Sequence, residues 1–220
     1  FMEPISNIIS ELQHKKKIVV TMHQKPDGDA MGSSTALYMF LLNLGHEVQV
    51  ISPTNWADFL KWIPGADKAW DYEKSTEASN EFIATADWLF CLDFNILSRT
   101  RNMADALLQA PGKRILIDHH QQPQTEVFSY GISDTHKSST CEMVYDFIVA
   151  AGGANNITKE MATSLYAGTM TDTGSFRFPS TTASVHEMVA HLKKQGLDHS
   201  YVHEALFDNF SETRLRFIGN

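Results

Sequence analysis

The sequence predicts an α/β fold, a mostly parallel sheet flanked by helices, with a helical C-terminal half. Three observations carry this. Short apolar runs rich in Val, Ile and Leu recur at 17–22, 47–52, 88–93 and 114–118. Runs apolar on both alternating faces fit strands buried inside a parallel sheet. Helical patterns separate several of these runs, the rhythm of strand, crossover helix and parallel strand.

The elements follow in order. Lys15-Lys16-Lys17 reads as a solvated entry to the first strand, 17–22. A helix-like segment spans 30–44, and Gly45 is suited to the position just past its end. The strand 47–52 comes next, and after it the strand 88–93, Trp-Leu-Phe-Cys-Leu-Asp. A helix is expected at 97–110, stopped by Pro111-Gly112, before the strand 114–118. The polar stretch 121–136, with Pro123 and Gly131, reads as loop with an edge strand at 126–130. Helices are expected at 139–151, 158–170, 182–195 and 200–207. Thr158 offers an N-cap; Met161 stands where a capping box needs Glu, so no box forms. Gly152-Gly153 and Gly196 read as helix stops.

The 220 residues suffice for one large domain with a sizeable core. A net charge of −8 argues against a broad basic surface for duplex DNA. Cys91 and Cys141 have neither zinc nor CxxC spacing and read as buried free thiols. There is no run of about 18 apolar residues to span a membrane and no signal-peptide pattern. A cytoplasmic protein is therefore expected.

The chemistry gathers at strand ends. His23-Gln-Lys-Pro-Asp27-Gly-Asp29 sits between the first strand and its helix. Open α/β sheets bind ligands beyond the carboxyl ends of their strands. The run also reads as a polar turn in which Asp29 caps the helix. Gly28 would allow a bend between the two carboxylates, and Gly32 a close approach of helix to sheet. Asp93 ends one buried strand and Asp118-His119-His120 ends another. Neighbouring histidines in extended backbone point oppositely, so one of the pair can bind metal while the other faces substrate. Asp172 follows a helix of small residues, and Arg177, five residues on, has the donor fork that suits a phosphate. Asp27, Asp29, Asp93, Asp172 and the histidines are too many ligands for one ion. Mixed oxygen and imidazole donors suit Mn²⁺ or a similar octahedral ion. Two ions about 3.5–4 Å apart sharing a carboxylate would activate water and clamp a phosphoryl group. Asp93 is the candidate bridge.

In order, His23…Asp27-x-Asp29, Asp93, Asp118-His119-His120 and Asp172-Thr-Gly174 resemble the four motifs of the DHH phosphoesterase superfamily. The form Asp172-Thr-Gly-Ser-Phe-Arg177-Phe resembles the branch holding oligoribonucleases (nanoRNases) and 3′-phosphoadenosine-5′-phosphate phosphatases. This resemblance implies two Mn²⁺ ions, with Mg²⁺ or Co²⁺ as substitutes. His23 and Asp27 would bind one ion, and Asp29, His119 and Asp172 the other, with Asp93 bridging. His120 would face the scissile phosphate, oriented by Asp118. The Ser/Thr-rich segment 135–140 opens a helix where the family carries such a loop. Its N–H groups favour an anion; Ser138, Ser139 or Thr140 would cap the helix, and His136, Ser138 and Ser139 are the candidate substrate contacts.

The activity implied is hydrolysis of small nucleotides: short single-stranded oligonucleotides, nucleoside 3′,5′-bisphosphates or dinucleotides, with a homodimer compatible with it. Rival expectations are an inorganic pyrophosphatase or exopolyphosphatase and, in another class, a non-catalytic metal- or nucleotide-binding regulatory module. Relatives carry a second domain with a Gly-Gly-Gly-His type motif that grips substrate; these residues contain none. The expected organisation is thus a catalytic domain at 1–208 and, at 209–220, the start of an interdomain helix. His14, His46, His186, His191, His199 and His203 read as surface or satisfied residues, and Trp56, Trp62, Trp70 and Trp88 as packing groups.

Overall fold

The structure is a computed structural model and describes residues 1–208. The expected interdomain helix at 209–220 lies outside the described residues. Seven strands form one parallel sheet: β1 (Glu3–Pro4), β2 (Lys17–Thr21), β3 (Glu47–Ser52), β4 (Trp70–Asp71), β5 (Trp88–Leu92), β6 (Lys113–Asp118) and β7 (Tyr130–Ser133). Their order is β1-β7-β6-β5-β2-β3-β4. The helices are α1 (Gly28–Asn43), α2 (Thr76–Thr85), α3 (Ala104–Gln109), α4 (Thr140–Ala150), α5 (Lys159–Asp172), α6 (Ala183–Lys194) and α7 (His199–His203). Among these, no helix is long and apolar enough to cross a membrane.

Alternation within the strands divides the core in two. Ile18, Val20, Val50, Phe90, Leu92, Ile115 and Ile117 face the layer holding α1, α4 and α5. Val19, Ile51, Leu89, Cys91 and Leu116 face the layer with Ile83 of α2 and Leu107 of α3. Every residue of β5 is buried, as its unbroken apolar run requires. The chain leaves β2 toward β3 on one side, whereas β5 lies on β2's other side. The strand order therefore reverses beside β2, the kind of crevice where open α/β sheets take ligands.

Register puts the chemistry at that crevice. Thr21 pairs with Cys91, and Cys91 with Leu116. Two residues further along each strand stand His23, Asp93 and Asp118, one level across three neighbouring strand ends. The helices α1, α4 and α5, packed on one face of the sheet, then bring in the remaining groups. α1 crosses α5 closely enough that a Cβ on Gly32 would sit 2.4 Å from the Ser164 carbonyl oxygen. Gly32 thus serves a helix–helix approach, where the sequence suggested helix against sheet.

Several expectations need correction. Residues 97–110 do not form one helix: a tight 3₁₀ stretch, Leu97–Met103, breaks at Arg101 (φ 50°, ψ −126°) before α3. The strand expected at 126–130 lies at Tyr130–Ser133, and it is not an edge, because Glu3–Pro4 pairs with its outer side. α7 extends only to His203 before a wider π-type turn at Glu204–Asp208. The two-residue strands β1 and β4, the 3₁₀ helix Ile5–Gln13 and α2 were not foreseen.

Candidate metal centre

α1 begins at the site, and its cap is Asp27 rather than Asp29. Asp27 Oδ1 accepts from the N–H groups of Asp29 and Ala30, both at 3.0 Å, and so satisfies donors that a helix N-terminus leaves free. Its other oxygen, Oδ2, lies 3.7 Å from His23 Nε2. Gly28 is the first helical residue; its lack of a Cβ lets α1 start against Thr171. His23 Nδ1 is 2.7 Å from the Gln24 carbonyl, which can only accept. Nδ1 therefore carries the proton, and Nε2 faces Asp27 and Asp93.

Asp93 occupies the middle. Its Oδ2 lies 3.4 Å from His23 Nε2 and its Oδ1 3.4 Å from His119 Nε2. It adopts φ 62°, a left-handed conformation that a non-glycine residue seldom takes outside turns and functional sites. The structure thus holds the carboxylate against a backbone preference. His119 Nε2 also approaches Asp172 Oδ2 at 3.4 Å and Asp29 Oδ2 at 3.7 Å. Three overlapping sets of potential ligand atoms result: His23, Asp27 and Asp93; Asp29, His119 and Asp172; Asp93, His119 and His120. Within each set the atoms lie within 4.8 Å of one another.

This donor set fits divalent cations. Asp29 and Asp93 are buried, and Asp172 is three-quarters covered. Burial, with Asp93 and Asp172 as negative neighbours, pushes the Asp29 carboxyl well above its usual range. The same two causes, burial first and then Asp93 and Asp27, push Asp172 up to about 7. Asp93 is held below the usual range: burial opposes its charge, but hydrogen bonds from His119 and His23 outweigh that. Burial likewise opposes charge on the histidines, and the carboxylates overcome it, pushing His23 up to about 10 and His119 up to about 9. In the metal-free cluster, protons do the neutralising that a cation would do. Cys91 and Cys141 offer no competing thiolate; burial pushes both thiols up.

His120 differs from its neighbour. Its Nδ1 is 2.7 Å from Asp118 Oδ1, so Nδ1–H donates to the carboxylate and Nε2 is left without a hydrogen-bond partner among the described residues. The side chain is 36% exposed, and the Asp118 hydrogen bond raises its pKa. The two rings do not point oppositely: their centroids are 4.9 Å apart, and both lie beside Asp93 Oδ1, His119 through Nε2 at 3.4 Å and His120 through Nδ1 at 3.8 Å. Asp118 is buried, and its Oδ2 has no partner among the described residues.

The remaining candidates lie farther from the cluster. Arg177 is exposed, and its Nε donates to the Gly174 carbonyl at 2.6 Å, leaving its terminal nitrogens unengaged among the described residues. Ser138 and Ser139 are buried and turned inward. Ser139 caps α4 by accepting from the Glu142 N–H at 3.0 Å, whereas the Ser138 N–H and hydroxyl both donate to Glu142 Oε2. Their donors are engaged within the fold, so the expected substrate contacts do not reach the site surface. The His136 side chain is 96% exposed and, among the described residues, pairs only with Asp134, at 3.1 Å.

Sequence reasoning missed one element of the site. The start of α4 meets an anion of the protein itself: Asp29 Oδ2 accepts from Thr140 N–H at 2.6 Å and Oδ1 from Cys141 N–H at 2.8 Å. The Thr140 hydroxyl donates to Asp93 Oδ1 at 3.0 Å. The Ser/Thr-rich segment signalled a helix start that attracts negative charge; nothing local marked Asp29 as that charge.

A family model described as the DHH family, N-terminal domain, matches residues 17–169. The bifunctional oligoribonuclease and PAP phosphatase NrnA of Thermus thermophilus is 34% identical over 181 residues, covering 82% of this chain and 50% of its own. A probable manganese-dependent inorganic pyrophosphatase of Streptococcus equi subsp. equi is 28% identical over 196 residues, covering 80% and 54%. The crystal structure of an exopolyphosphatase-related protein from Bacteroides fragilis superposes with a TM-score of 0.94 at 37% identity, over 97% of this chain and 63% of that one. The chain spans about half the length of these curated relatives. With the family model matched over most of the chain and its motif residues converging at one sheet edge, the chain belongs to the DHH family.

Proposed function

We propose that this chain carries the catalytic centre of a manganese-dependent phosphoesterase acting on small nucleotides. One observation supports it above the rest: Asp93 turns one oxygen to His23 and the other to His119. A carboxylate divided in this way suits a bridge between two cations. In this reading His23 and Asp27 hold one ion, Asp29, His119 and Asp172 the second, and Asp93 is shared. When bound, such a pair supplies Lewis acidity that makes water nucleophilic near neutral pH and offsets charge on the phosphoryl oxygens.

The chain's own residues do the rest. Asp118 fixes the His120 ring so that Nε2 is left without a partner among the described residues, and its carboxylate favours the protonated imidazole. Protonated His120 then donates a hydrogen bond to a phosphoryl oxygen as charge builds there. The free nitrogens of Arg177 orient a phosphate at the rim. Buried Asp29, fixed by two N–H donors of α4, cannot turn away from His119.

Short oligonucleotides, nucleoside 3′,5′-bisphosphates and dinucleotides are the proposed substrates, a reading favoured by the NrnA relative. Residues 1–208 would form the catalytic domain of a cytoplasmic enzyme, with duplex DNA and membranes outside its range. A second reading, cleavage of the anhydride in inorganic pyrophosphate, is favoured by the pyrophosphatase relative. One panel separates them: 3′-phosphoadenosine-5′-phosphate, pApA, a cyclic dinucleotide and pyrophosphate, each with and without Mn²⁺, products resolved by chromatography. Mn²⁺-dependent release of adenosine monophosphate, lost in Asp93→Ala, is expected. Orthophosphate from pyrophosphate alone would establish the second reading, and binding without turnover of any compound would point to a non-catalytic module.

A further inference from the structure

Asp29 lies in the first turn of α1 and Asp93 just past the end of β5, yet one residue touches both. Thr140, the first residue of α4, donates its N–H to Asp29 Oδ2 and its hydroxyl to Asp93 Oδ1. Both accepting oxygens are on the same side of the centre, 3.7 and 3.4 Å from His119 Nε2. The other Asp93 oxygen faces His23. Thr140 is fully buried, so its hydroxyl is reserved for the protein and meets neither solvent nor substrate. The segment that presents it is held on both flanks: Ser139 caps the helix and bonds Thr169 at 3.2 Å, and Ser138 is tied to the buried Glu142.

Two buried carboxylates this near one another repel. Donors fixed by the fold can hold them at the spacing a cation needs before the cation arrives, and that lowers the cost of binding. We propose that Thr140 is a positioning residue that sets Asp29 and the His119-facing oxygen of Asp93 for one of the two cations. This rests on the reading of the site as a two-cation centre. The hydroxyl is the acting group in the link to Asp93; the methyl is not.

The test is a calorimetric titration of Mn²⁺ into the metal-free intact protein, as wild type and as Thr140→Val, Thr140→Ala and Thr140→Ser, with His119→Ala to mark which binding step belongs to that side. Val and Ala should weaken the marked step about 10–100-fold, as loss of an outer-shell partner does, and alter the other step less. Ser should retain wild-type affinity. The result that overturns the proposal alone is a wild type with two binding steps and Val and Ala variants that match it. A Ser variant as weak as Val would also overturn it, because the hydroxyl would then not be what acts. A wild type that takes up no Mn²⁺ would overturn the two-cation reading and this inference together.

Discussion

Gly32→Ala separates two physical arguments by the sign of one measurement. Gly32 lies inside α1, where alanine is the better helix former by about 1 kcal/mol. Helix propensity alone therefore makes the variant more stable. The packing says the opposite. A Cβ at 32 would sit 2.4 Å from the Ser164 carbonyl oxygen, about 1 Å short of the 3.4 Å at which ordinary contact begins, and 3.3 Å from the Gly168 N. The obstruction is the backbone of α5, which cannot swing aside as a side chain can, so the helix crossing must open. Overpacking of this kind costs about 1–3 kcal/mol and occasionally more. A 2.4 Å approach to fixed backbone belongs to the upper part of that range, about 2–3 kcal/mol; less the propensity gain of about 1 kcal/mol, a net loss of roughly 1–2 kcal/mol remains, a fall in Tm of about 2–8 °C for a chain of this size. Thermal unfolding of the metal-free protein by circular dichroism reads it. Ser34→Ala is the matched control: two residues along the same helix, its buried hydroxyl has no partner among the described residues, so alanine there should leave Tm unchanged or raise it. Because α1 carries Asp29 and α5 carries Asp172, Gly32→Ala should also weaken Mn²⁺ uptake. A Gly32→Ala protein as stable as wild type, or more so, would refute the close crossing.

Loading the metal-free protein with Mn²⁺ should release protons. His23 and His119, pushed up to about 10 and about 9, are charged at neutral pH, yet only the neutral imidazole binds metal. Titration at pH 7 in two buffers of different ionisation enthalpy should show release of about two protons or more, the raised Asp29 and Asp172 carboxyls adding to the histidines, and affinity should fall as pH falls; identical heats in both buffers would contradict this. His120→Ala should leave Mn²⁺ uptake intact and slow turnover by about 10²–10⁴, the usual range for a proton-donating side chain; loss of metal as well would make His120 a ligand. Glu142→Gln should cost about 1–3 kcal/mol. Burial opposes charge on Glu142, but its bonds from Ser138 and Ser184, with Lys137 nearby, hold the carboxyl below the usual range. The stabilisation is thus complete above the ordinary glutamate pKa of 4.5 and disappears as pH falls through the depressed folded value. Urea unfolding at several pH values should show the wild-type advantage at neutral pH and its loss in acid; a constant difference would contradict the assignment.

The parts of the molecule legible in the sequence are those where burial leaves a pattern. β2, β5 and β6 carry apolar residues on both faces and β3 carries Val48, Val50 and Ile51, so their runs stand out, and the ends of β2, β5 and β6 mark the sheet edge that carries His23, Asp93 and Asp118. α2 was hidden because it buries only Ser79 and Ile83 and has no capping side chain at Ser75. β1 and β4 are two residues each, too short for any periodicity. The break at Arg101 depends on a backbone angle that no local residue choice announces. At the site, motif order identified the ligand candidates, but the anion at α4 was misassigned. Asp29 meets Thr140 across 111 residues of chain, and only the folded crossing of α1, α4 and α5 brings them together. Ser139 caps α4 as the sequence suggested, but Ser138 and Ser139 do not fit the expected substrate contacts, because their partner Glu142 and their burial are properties of the packed structure.

The central claim is that Asp93 stands between two cations. Anomalous diffraction from crystals grown with Mn²⁺ tests it most directly. The account predicts two peaks, one among His23, Asp27 and Asp93 and one among Asp29, His119, Asp172 and Asp93, and neither peak shared with His120. A single peak, or peaks away from Asp93, would contradict it.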